Sequence, residues 1–313
     1  MAAFVGLTVL WLLALMVLPR PVESNWIAGI YVKKEAAASS VQGPKMVIVG
    51  GSGSHFSYSA RIVGEMTGLS VVNLATHAGL GGEYILHRAR ESLKAGDTAI
   101  LALEEQLLFP GKPSSVLATF VLTNDPGYLM SAPIMDVPWL LFGYAPVDVL
   151  RQAAATSVPP TSPLYHVETV TMLGDESINT PGNKLPYMLQ IVRSLPAISL
   201  PAPDPSRPPE YLVSFVAWAK AHNIRLIQAW PATTYRAVYM TAAYDGHFNR
   251  YEQTYERLGV EVLRNARDVL VPEEEMLDSL YHADSVGAAR VSTKLALDLC
   301  RTLQCGAGSA PRR

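Results

Sequence analysis

Three side chains, from two segments far apart in the chain, have the types that acyl chemistry needs. They are a serine in Gly50-Gly51-Ser52-Gly53-Ser54, and Asp278 and His282 in Asp278-Ser279-Leu280-Tyr281-His282. A serine hydroxyl is a weak nucleophile until a base takes its proton. Neutral imidazole suits that task near pH 7, and a carboxylate fixes its tautomer. Two hydroxyls compete for the nucleophile's place, Ser52 and Ser54. The glycine turn that holds them also begins other motifs and completes none. Phe56 stands where a dinucleotide site needs its third glycine, no G-K-[ST] follows for a P-loop, and Ser54 replaces the last glycine of a G-x-S-x-G elbow. The plain alternative is a tight strand-to-helix turn with no chemistry.

The elements around these residues predict how they meet. Met46 to Val49 reads as a strand buried on both faces, followed by a glycine turn with room for positive φ and a helix over Phe56–Thr67. Leu69–Leu74 and Thr98–Leu103 read as further strands, with a helix over Glu83–Lys94 between them. This alternation implies a parallel sheet with right-handed crossovers, so the loops at the strands' carboxyl ends share one edge. Those loops carry Ser52, then His77 and Gly79, then Glu104. After a proline-rich insertion at 107–205 the pattern resumes, with helices over Tyr211–His222 and Tyr244–Leu258, strands over Ile224–Ala229 and Val260–Leu263, and a closing helix over Ser285–Leu303. Within the insertion, Asp136–Leu150 and Leu185–Leu195 read as helical. Trp230 and Thr233 end the late strand, where Trp230 could stack on a substrate. The fold class expected is α/β, a three-layer sandwich around a mainly parallel sheet.

These residues resemble the SGNH/GDSL-type hydrolases, in the membrane-tethered branch associated with bacterial exopolysaccharide O-acylation. Gly50-Gly51-Ser52 is similar to the family's nucleophile block, with Gly51 in place of aspartate. Gly79 in Thr76-His77-Ala78-Gly79 matches the glycine that supplies a backbone oxyanion donor, and Asp278 and His282 match the C-terminal Asp-x-x-His block with one extra residue. Glu104 stands where the family has an asparagine. The resemblance spans about residues 45–303 and implies a flavodoxin-like sheet. It also implies Ser52 as nucleophile, His282 as base and Asp278 as orienting acid, with an oxyanion site at the N–H groups of Ser52 and Gly79. His77, Glu104, Asn179 and Trp230 are the expected substrate contacts. The implied activity is a serine esterase or O-acyltransferase, O-acetyl in the first instance, on carbohydrate or exopolysaccharide. The contrasting reading is a non-catalytic polysaccharide-binding or assembly protein on the same fold. No cofactor and no metal are expected; the implied partners are acylated carbohydrate and other polysaccharide-synthesis proteins.

Composition sets the outer bounds. The chain has 313 residues, a formal charge of -2 and 49% hydrophobic content, which suits one sizeable core and gives no reason to expect nucleic-acid binding. Ala2–Leu18 is an uncharged apolar run near the lower limit for a spanning helix. It reads as an uncleaved anchor (residues 1–20) on the extracytoplasmic, periplasmic side, or else as a cleaved signal. Residues 21–44 read as a linker with a short helix around Trp26, Ile30 and Tyr31, residues 45–305 as the α/β domain, and 306–313 as a tail. Cys300 and Cys305, the only two cysteines, are spaced to close a small disulfide loop, which favours export.

Overall fold

A computed structural model of the protein describes residues 20–109, 111–143, 164–198, 203–263, 266–303 and 305, with 6, 7, 9–11 and 13 near the start. Five strands form one parallel sheet. They are β1 (Met46–Val49), β2 (Val71–Asn73), β3 (Thr98–Leu101), β4 (Arg225–Gln228) and β6 (Glu261–Val262), in the order β2-β1-β3-β4-β6. All four residues of β1 are buried, as a central strand covered by helices on both faces requires. Two short strands, β5 (Thr233–Thr234) and β7 (Leu270–Val271), pair separately and had no sequence signal of their own.

The strand order decides where loops converge. The chain steps from β1 outward to β2, then crosses back to β3 on the other side of β1. Right-handed crossovers therefore put the helices of these two steps on opposite faces. One face carries α3 (Ala60–Thr67), packed on the closing helix, Ser285–Leu303. The other carries α4 (Gly81–Ser92), packed on Glu210–Ala221. The loops after β1 and β3 diverge at this reversal, and a crevice opens between their carboxyl ends.

Two local readings are corrected. The helix expected over Phe56–Thr67 is two helices, α2 (Ser52–Ser57) and α3, parted at Tyr58-Ser59. Ser59 caps α3, accepting from the Ile62 N–H, and the carboxylate of Asp175 takes the Ala60 and Arg61 N–H groups at 2.6 and 3.0 Å. A cap supplied from the middle of the chain leaves no trace in the local pattern. The glycine turn also works differently from the positive-φ expectation: Gly50, Gly51 and Gly53 all have ordinary φ. They are glycines because of crowding. A Cβ on Gly50 would lie 2.5 Å from the Ala102 carbonyl oxygen, and one on Gly51 would lie 2.8 Å from Ala78 Cα.

The stretch 21–44 is not a linker. Most of it is a single helix, α1 (Val22–Ser40), whose Trp26, Ile27, Ile30 and Tyr31 are buried in the main core. Lys34 on the same helix is fully buried and donates to the carbonyls of Asn73 at 3.0 Å and Gly174 at 2.6 Å. The insertion is likewise knitted in. Its α5 (Ser115–Asn124) packs on α1, α6 (Val137–Phe142) packs on α5, and α7 (Pro186–Ser194) follows further on. The helix expected over Asp136–Leu150 is described only as far as Gly143. The later helices α8 (Glu210–Ala221), α9 (Ala242–Glu256) and α10 (Ser285–Leu303) stand within a few residues of their expected bounds. Cys300 and Cys305 are joined as a disulfide at the end of α10. The anchor expected over residues 1–20 falls mostly outside the described residues, among which no helix is long and apolar enough to cross a membrane.

Candidate functional site

Ser52 is the first residue of α2, directly beyond β1. Phe56 lies one turn on, and residues four apart share a helix face. The Phe56 ring packs against the His282 ring at 4.7 Å between centroids. Ser57 ties the two segments together, donating from Oγ to the Tyr281 carbonyl at 2.7 Å and accepting from the Ala283 N–H at 2.9 Å. The loop carrying His282 is thus clamped along the helix that begins with Ser52. Ser54, the rival hydroxyl, is fully buried and donates to the Ala102 carbonyl at 2.5 Å. That bond closes α2 onto β3 and leaves Ser54 a structural role.

His282 and Asp278 form a pair. Nδ1 lies 2.7 Å from Asp278 Oδ1. The ring is therefore held with Nδ1–H toward the carboxylate and Nε2 free to accept a proton. Burial would raise the Asp278 carboxyl, but its hydrogen bond to His282 and the electrostatic attraction of that ring hold it below the usual range. The extra residue between aspartate and histidine does no harm, because a four-residue offset brings both side chains to one side of the loop. The His282 N–H is tied to Ser279 Oγ at 3.1 Å.

Glu104 occupies the crevice between β1 and β3. Its two carboxylate oxygens accept from Gly51 N–H at 2.9 Å and Gly53 N–H at 2.6 Å, on either side of Ser52. The group is 1% exposed, and burial raises its pKa against the pull of those N–H groups and of the nearby His282. This position therefore supplies acceptors to the turn rather than the side-chain donor that an asparagine would give. Among the described residues nothing takes the Ser52 N–H.

Gly79 and His77 are engaged with each other. The Gly79 N–H donates to His77 Nδ1 at 3.0 Å, so this amide is not free to receive an oxyanion in this conformation. The same bond puts the imidazole proton on Nε2, which faces Glu23 Oε1 at 3.2 Å. Burial, with the charges of His282 and His55, pushes His77 down to about 4. Asn179 is also committed elsewhere. Its side-chain amide donates to the Phe56 carbonyl at 2.8 Å, and its backbone carbonyl accepts the Ser285 N–H at 2.6 Å. Trp230 is 5% exposed, stacks on Tyr251 at 4.3 Å and donates to Glu252 Oε1 at 3.2 Å. Those contacts make it core packing rather than a substrate platform, and Asn179 a brace rather than a substrate contact.

Two neighbours, Glu23 and Trp26, had no sequence signal. Glu23 and Trp26 arrive from α1, with Trp26 set edge-on to His55 at 5.5 Å and His77 at 6.1 Å. His55 is fully buried, and desolvation, with the nearby Lys34 charge, pushes it down to about 4. Its Nε2 lies 3.2 Å from Glu176 Oε2 but off the line of a hydrogen bond, which leaves both atoms without one. Glu105, next to Glu104, makes a second carboxylate–imidazole contact, with His247 Nε2 at 2.5 Å. The Glu104-Glu105 pair was visible in the sequence, but its histidine partner on α9 was not. No protein-family model matches this chain, and no curated protein is similar enough to count as a relative.

Proposed function

We propose that the protein is a serine esterase or O-acyltransferase working through an acyl-Ser52 intermediate. The observation that carries this reading is the Asp278–His282 pair held against Phe56 on the helix that begins at Ser52. In the first step, His282 Nε2 takes the Ser52 proton as Oγ bonds to the acyl carbonyl carbon. The carbonyl π pair moves to oxygen, where the Ser52 N–H is the nearest free donor. Collapse expels the alcohol, which receives the proton from His282. In the second step, His282 Nε2 takes a proton from water or an acceptor hydroxyl as that oxygen bonds to the acyl carbon, and collapse breaks the bond to Ser52 Oγ, which leaves with the proton from His282. Glu104 keeps the turn rigid by holding both flanking amides. The Gly79 amide joins the oxyanion site only if His77 swings away.

The acyl group and its carrier, acetylated carbohydrate or exopolysaccharide on the extracytoplasmic side of a membrane, rest on the family resemblance and on the apolar run Ala2–Leu18. A second reading, a non-catalytic carbohydrate-binding or assembly protein, is favoured by the Gly79–His77 bond and by the acceptor at position 104. The two are separated by a fluorophosphonate probe with intact mass and peptide mapping, beside p-nitrophenyl acetate turnover. The catalytic reading expects one adduct, at Ser52, and turnover lost in Ser52→Ala. No adduct, together with equal rates for both proteins, favours the binding reading.

A further inference from the structure

Residues 130–142 present a ridge of apolar side chains. Met130 is 92% exposed, Ile134 80% and Met135 78%, with Trp139 and Phe142 close to half exposed. The segment is anchored from behind by buried Tyr128 and Leu140 and by the packing of α6 on α5. A fixed element thus displays these side chains. Single exposed apolar residues are ordinary, but a group of five large ones marks a contact surface. Lys112 Nζ lies 3.7 Å from the centre of the Trp139 ring. An indole with an amine over it suits a boundary between apolar and aqueous phases.

A second observation names what covers the ridge. The Trp11 indole donates to the Leu141 carbonyl at 3.3 Å, which joins the apolar run Ala2–Leu18 to α6. Leu7, Leu10 and Leu13 of that run are themselves exposed. The segment 130–142 carries one charge, Asp136, and Lys112 over Trp139 offsets it, so the ridge has no net charge with which to select anionic lipid.

The geometry points to one membrane-contacting face, in which the ridge 130–142 sits in the headgroup boundary of a bilayer beside Leu7, Leu10 and Leu13, in neutral lipid as well as anionic. A cavity of about 700 Å³ is walled on one side by Ser131, Pro133, Asp136 and Leu140 and on another by Ala78 and Gly79, beside the Ser52 turn. Seating the ridge in lipid brings one wall of that cavity to the membrane surface. The inference stands apart from acyl transfer, since lipid contact is measurable whether or not Ser52 reacts.

The test uses the full chain in phosphatidylcholine vesicles. Both native cysteines are in the disulfide, so Ile134→Cys adds a unique thiol for an environment-sensitive fluorophore. Leu297→Cys, on the exposed side of α10, is the control. The expected result is a blue-shifted Ile134 label that loses emission when nitroxide lipid is present, in low and high salt alike, beside an unquenched Leu297 label. Equal quenching at the two sites, failure to bind the vesicles, a requirement for anionic lipid, or shielding that tracks self-association of the protein would each overturn the proposal.

Discussion

Gly51→Ala tests the crowded turn at the candidate site. The added Cβ would stand 2.7 Å from each Glu104 carboxylate oxygen and 2.8 Å from Ala78 Cα. Ala78 is backbone and has nowhere to go. Glu104 can retreat only by giving up at least one of its bonds to Gly51 and Gly53. Overpacking a tight site costs about 1–3 kcal/mol. Losing one buried hydrogen bond to a charged acceptor adds about 1.5–3 kcal/mol. The substitution should therefore cost roughly 2.5–6 kcal/mol, a large share of the ~5–15 kcal/mol that holds a domain together. Glu104→Asp shortens the side chain by one methylene and moves the carboxylate away. On that background Gly51→Ala should cost less, with a coupling of roughly 0.5–3 kcal/mol between the two sites. The residual cost is the clash with Ala78. Urea unfolding of the four proteins, followed by circular dichroism at pH 7, measures the cycle. Strict additivity, or a single variant within about 0.5 kcal/mol of the parent, would refute the account of why glycine stands at this position.

Asp278→Asn should leave the fold intact but cut reaction of Ser52 with a fluorophosphonate by roughly 10⁴-fold, the size of loss seen when a triad acid can no longer fix the tautomer; pseudo-first-order labelling rates read this directly. His55 binds its proton less tightly folded, at about 4, than unfolded, at 6.5. Its contribution is therefore complete above pH 6.5 and lost as pH falls toward 4, about 3 kcal/mol in all. Unfolding curves at pH 7, 5.5 and 4.5 should show a shallower decline in His55→Leu. Lys34 is pushed down from 10.5 to about 7, chiefly by burial. The unfolded chain then holds the extra proton between those values, so stability rises with pH from 7 toward 10.5. Lys34→Met should flatten that rise between pH 7 and 9, measured by the same unfolding assay.

Some of this was legible in the sequence, for identifiable reasons. β1 and β3 are unbroken apolar runs between turn residues, and runs of that kind report burial on both faces whatever the context. Asp278 and His282 sit four residues apart in one loop, so their pairing is a local matter. Most of the misreadings involve distant partners. α1 passed for a linker because its polar and apolar residues do not segregate: Lys34 and Ser24 are buried beside Trp26 and Ile27. The break before α3 depends on Asp175, and the burial of Trp230 depends on Tyr251 and Glu252. Asn179, expected to contact substrate, has its side-chain amide spent on the Phe56 carbonyl. Gly79 fails as a free donor for a reason only two residues away, but a ring nitrogen turned toward a backbone amide is a rotamer choice, which residue types do not reveal.

Asn179 has one more consequence. By bonding Phe56 on one side and Ser285 on the other, it acts as a spacer bar between the start and the finish of the fold. Anyone trimming the middle of this chain to obtain a minimal domain would cut out that bar, and the segments bearing Ser52 and His282 would be left to the Ser57 bonds and the Phe56–His282 contact alone.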